Sequence, residues 1–113
     1  SLTPADLALV ARAKTAGAPV VTVLYSGRPL ILGSAMTDSD SLVAAWLPGT
    51  EGKGITDVLF GDFKPTGKLP RPWPATNSEL SSAVFGMNGL QPQFPFGFGL
   101  TYEKGSLTQA ARN

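Results

Sequence analysis

An α/β fold, with a mostly parallel sheet and flanking helices, is predicted by three observations. Val20 to Tyr25 is a β-branched, almost uninterrupted apolar run, the texture of a strand buried on both faces. Leu42 to Leu47 is a second such run, ended by Pro48-Gly49. Helical patterns stand before the first run and after the second, so the order reads helix, strand, loop, strand, helix.

Each element has a local reason. Thr3 suits an N-cap, Pro4 the first helical position, and Asp6 the third place of a capping box. Leu7, Val10 and Ala11 make an apolar stripe with helical spacing. Gly17 suits the residue after the C-cap, and Pro19 prevents continuation. Ser26-Gly27-Arg28-Pro29 breaks the first strand; Leu30-Ile31-Leu32 reads as a short second strand or an extended run. Met36 to Ser41 reads as a loop. Ile55, Val58 and Leu59 place a helix over about Glu51 to Phe60, stopped by Gly61. Beyond Asp62, frequent Pro and Gly argue against long helices. Residues 75–91 carry the weakest pattern, and residues 103–113 read as a polar tail or linker.

Composition narrows the function. The 113 residues make one domain of ordinary size. Charged residues are 15%, against about 25% in a typical domain, so the chain is expected to hide surface against other protein. A net charge of +1 gives no electrostatic case for nucleic acid or an acidic membrane. No run approaches the ~20 apolar residues of a membrane-spanning helix. The chain opens at Ser1, without methionine or a signal-peptide core, so synthesis is expected to begin upstream. Cysteine and histidine are absent, which excludes disulfides, Cys/His zinc sites, thiol nucleophiles and Ser-His-Asp chemistry within the chain. No cofactor is expected.

Gly49, Gly52 and Gly54 lie at a strand-to-helix junction, where phosphate loops occur. The spacing fails for both known patterns. A P-loop would need Gly at Leu47 and Ser or Thr at Gly54; a dinucleotide fingerprint would need Gly at Asp57. A tight turn and close packing of helix on sheet explain these glycines, and a ligand at this helix start is the sharper alternative. Among eight carboxylates no pair stands out for glycosidic acid/base work: Asp6 caps, Asp38 and Asp40 suit turns, and Glu51 and Asp57 suit a helix start.

Arg28 and Arg71 each adjoin a proline near a strand end. Semi-buried pairing with carbonyls or a carboxylate is the ordinary reading, and substrate contact the sharper one. Trp46, inside a strand pattern, reads as core, whereas Trp73, in a Pro-rich loop, reads as more open. Arg28 and Trp73 are therefore the candidate substrate or inter-domain contacts. Phe94 to Tyr102 alternates aromatics with Gly and Pro, which predicts an extended segment with one buried face, packed on the sheet or another domain.

Four segments together resemble glycoside hydrolase family 3. They are Ser26-Gly27-Arg28-Pro29 after a buried strand, Ala45-Trp46-Leu47-Pro48-Gly49-Thr50-Glu51-Gly52, Asp57-Val58-Leu59-Phe60-Gly61-Asp62 followed by Pro65-Thr66-Gly67-Lys68-Leu69-Pro70, and Phe94 to Tyr102. They run in family order over about residues 20–102, with Lys53 a minor departure. The resemblance implies the C-terminal half of the second, α/β-sandwich domain, over residues 1–102. It implies an enzyme of β-glucosidase or exo-glucanase type, in which a barrel carries the nucleophilic Asp and a sandwich loop the acid/base Glu. Its catalysis is retaining, releasing glucose or a related sugar from the non-reducing ends of β-linked glucosides or glucans.

Neither catalytic position matches a residue here, so the chain is expected to be inactive alone and to scaffold the active-site loop. The implied partners are the N-terminal barrel, the first half of the sandwich and a second copy in a homodimer; the implied location is secreted or periplasmic. The rival reading is a non-catalytic α/β module binding a ligand or partner at the Gly49–Gly54 helix start.

Overall fold

Helix α1 (Pro4–Thr15) begins where local chemistry places it. Thr3 Oγ1 accepts from the Asp6 N–H (3.2 Å), and the Asp6 carboxylate accepts from the Thr3 N–H (3.1 Å). This reciprocal box satisfies two backbone donors that a helix start leaves unpaired. The Thr3 side-chain bond, then the backbone bond, holds the Asp6 carboxyl below its ordinary value. The helix ends at Ala16, and Gly17 turns the chain with φ 75°. These observations come from a computed structural model that describes residues 1–81 and 92–102.

Strands β1 (Val21–Tyr25) and β2 (Ser41–Trp46) pair in parallel, with Val21 opposite Ser41 and Leu24 opposite Ala44. The crossover contains a short helix, α2 (Ala35–Asp38), overlapping the Met36–Ser41 segment expected to be loop. One turn of helix is too short to show a periodicity in sequence. Ala35 of α2 is fully buried, and α1 packs on α2 with Leu7 and Val10 half-buried. Ala11 is exposed, so the predicted α1 stripe covers less than its spacing suggested.

Asp40 joins three elements. Its carboxylate takes the Lys14 Nζ (3.1 Å) and the Val20 N–H (2.8 Å), tying the end of α1 to the starts of both strands. The Val20 bond, then Lys14, holds the Asp40 carboxyl below its ordinary value.

Helix α3 (Gly52–Leu59) follows β2, and Gly61 ends it with φ 85°. Helix α4 (Asn77–Ser81) is short. Leu30 to Leu32 forms no strand; Ile31 C=O accepts the Leu2 N–H (3.0 Å), and Leu32 turns inward.

The Pro-rich part forms an irregular antiparallel ribbon. Leu69 N–H bonds Phe98 C=O (2.8 Å), and Trp73 exchanges bonds with Phe94 (2.8 and 3.4 Å). Four residues separate the contacts on each run, so both belong to one register. Ring stacking joins Phe94 and Phe98 at 4.6 Å, while Phe96 between them is 72% exposed. The single buried face expected for 94–102 is therefore broken, because Pro95 to Gly97 makes a turn with Gly97 at φ 77°. Tyr102 Oη still donates to Val58 C=O and anchors the end on α3.

The core comprises Leu24, Leu32 and Trp73, packed by Leu2, Leu30, Met36, Leu42, Ala44, Trp46, Leu69 and Phe94. Each fully buried Leu contributes roughly 1.5–3 kcal/mol. Burial of both strand faces does not hold among the described residues: Val21 and Tyr25 are exposed, and Ser41 apart, β2 is half-buried throughout. Two strands cannot cover each other's faces, so this burial requires further layers. The predicted tail, 103–113, and most of the 75–91 segment lie outside the described residues.

Candidate functional site

In open α/β sheets, ligands gather at the carboxyl ends of the strands. Here that edge is built from the turns after β1 and β2. After β1, Ser26 N–H bonds Trp46 C=O (3.1 Å), and Ser26 Oγ donates to Arg28 C=O (2.6 Å), fixing the tight turn toward Pro29. A Cβ on Gly27 would sit 3.3 Å from Leu47 Cδ1, so the two turns lie against each other.

The strand register shifts at the end of β2, where Trp46 takes a left-handed backbone, φ 55°. A bulky residue rarely adopts this conformation, and such strain collects at functional positions. The Trp46 ring meets Trp73 at 6.0 Å and 45°. Trp73 Nε1 in turn donates to Leu30 C=O (2.8 Å). Pro29, Trp46, Pro70 and Arg71 line an open depression of about 170 Å³.

The two arginines are freer than the ordinary reading expected. Arg28 and Arg71 are exposed, and their side chains make no hydrogen bond or ion pair among the described residues. Trp73 is the reverse. Expected to be open, it is 2% exposed, because its Phe94 pairing and its bond to Leu30 draw it into the core. Among the described residues its ring is therefore covered by the chain's own core. Sequence reasoning noted Trp46 and Arg71 separately and missed their convergence. The mirrored pairs Arg28-Pro29 and Pro70-Arg71 were the available signal.

At the α3 start, Gly49 has φ 60°, and Glu51 N–H bonds Pro48 C=O (3.0 Å), so the tight turn is real. The close-packing role expected of Gly52 and Gly54 is not: a Cβ on either meets nothing within 4 Å. The intimate backbone approach occurs at Gly99, whose Cβ would run into the Gly67 carbonyl.

The carboxylates with described partners serve structure. Asp6 caps α1, Asp40 ties the strand starts, Asp57 holds Lys53 (2.7 Å), and buried Glu79 accepts the Ala75 N–H (2.7 Å). No cluster of three or more His, Cys, Asp or Glu suited to a metal occurs among the described residues.

The fold and this edge define an α/β domain with an aromatic and cationic surface at the strand ends. The profile described as "Glycosyl hydrolase family 3 C-terminal domain" matches residues 1–102, and the chain belongs to glycosyl hydrolase family 3. It is 38% identical over 115 residues to a periplasmic beta-glucosidase of Salmonella typhimurium, covering 83% of this chain and 15% of that protein. A lysosomal beta glucosidase of Dictyostelium discoideum is 35% identical over 117 residues, covering 98% of this chain and 14% of its own length. A xylan 1,4-beta-xylosidase of Xylanibacter ruminicola is 37% identical over 97 residues, covering 79% and 11%. The solved beta-glucosidase of Listeria innocua in complex with glucose superposes with a TM-score of 0.73 at 30% identity, over 89% of this chain and 17% of that one. The chain thus spans about a seventh of the length of the first two relatives.

Proposed function

We propose that this chain is the C-terminal part of the α/β-sandwich domain of a retaining glycosidase. The whole enzyme releases glucose or a related sugar from the non-reducing ends of β-linked glucosides or glucans. The observation that carries the reading is the family match over residues 1–102, joined to relatives named as beta-glucosidases. A retaining mechanism needs two carboxyl groups about 5 Å apart, one as nucleophile and one as acid/base. Both are assigned to the remainder of the polypeptide. The barrel and the first half of the sandwich are its proposed partners, and a secreted or periplasmic location fits the named periplasmic relative.

This segment's role is mechanical. It buries Trp73 and Leu32 beneath the strand ends and keeps that edge rigid, so that a loop resting on it holds its proton donor at a fixed distance from the sugar. Arg28, exposed at the same edge, is the proposed substrate or inter-domain contact.

The test is hydrolysis of 4-nitrophenyl β-glucoside. The intact polypeptide carrying this chain is expected to turn it over, and the 113-residue chain alone to do no better than a barrel-nucleophile variant. Turnover by the folded 113-residue chain, or none by the intact polypeptide with any β-glucoside or β-xyloside, refutes the reading.

A further inference from the structure

We draw no further inference here: the strongest candidate, the apolar surface at the end of α3 where Phe60 is 82% and Phe63 62% exposed, carries nothing because nothing in the structure shows what covers it.

Discussion

Replacing Gly99 with alanine tests how the ribbon is held. The added Cβ would fall within the envelope of the Gly67 carbonyl oxygen, 3.2 Å from the Gly67 carbonyl carbon and 3.0 Å from Lys68 Cδ. The lysine chain can swing aside, though its Nζ would then lose the Gly99 C=O (2.7 Å). The carbonyl cannot move freely, because Leu69 two residues on is bonded to Phe98 and Gly97 (2.8 and 2.9 Å). The ribbon must therefore part. Overpacking of this kind costs about 1–3 kcal/mol. One strained or lost backbone bond adds roughly 0.5–1.5 kcal/mol. A total near 2–4 kcal/mol corresponds to at least a 30-fold shift in the folding equilibrium by the order of magnitude of RT. Gly99 is not in the left-handed region, so the cost is steric. The assay is urea unfolding of the intact polypeptide, with Gly52→Ala as the comparison. A Cβ at Gly52 meets nothing within 4 Å, so that variant is expected within about 0.5 kcal/mol of wild type. Equal midpoints for Gly99→Ala and wild type would refute the steric argument. A large loss in Gly52→Ala would restore the packing role that the structure denies it.

Other outcomes follow from single contacts. Thr3→Ala removes the N-cap and is expected to cost about 0.5–2 kcal/mol, read from the urea midpoint, with Thr3→Ser recovering most of it. Trp73→Phe leaves Leu30 C=O without its donor and opens space in the core. A loss of about 2–4 kcal/mol is expected, and a wild-type midpoint would contradict the buried geometry. Asp40→Asn should lower the melting temperature at neutral pH. Because the folded carboxyl is more acidic than its ordinary value of 3.8, its contribution is present above that pH and fades as pH falls through the folded value. The gap between Asp40→Asn and wild type should therefore close on acidification below about 3.8, and a gap that widens there would refute the assignment.

Local chemistry made much of the fold legible. The α1 start is set by residues 3 to 6 alone, so Thr3, Pro4 and Asp6 announce it without tertiary help. The β1 and β2 runs declare themselves through β-branched and apolar texture. What escaped depends on partners distant in sequence. Trp73 looks exposed among prolines until Leu30, 43 residues earlier, supplies its acceptor. Gly52 and Gly99 look alike as letters, and only the neighbour across the ribbon separates them. The Trp46 and Arg71 surface is invisible for the same reason: the two residues meet only once the ribbon lies beside the strand ends.

The Trp73–Phe94 pairing also closes a loop at its base. Whatever the chain does between those two residues, its departure and return points are fixed by backbone bonds and by a tryptophan locked into the core. For such a tethered excursion, doubling the length costs only about 0.6 kcal/mol in closure entropy. The first residues of the excursion still belong to the scaffold, since Pro74 and Glu79 are buried. Beyond those buried residues, closure entropy sets only a small penalty on a change of length, because the Trp73–Phe94 bonds hold both ends where they are.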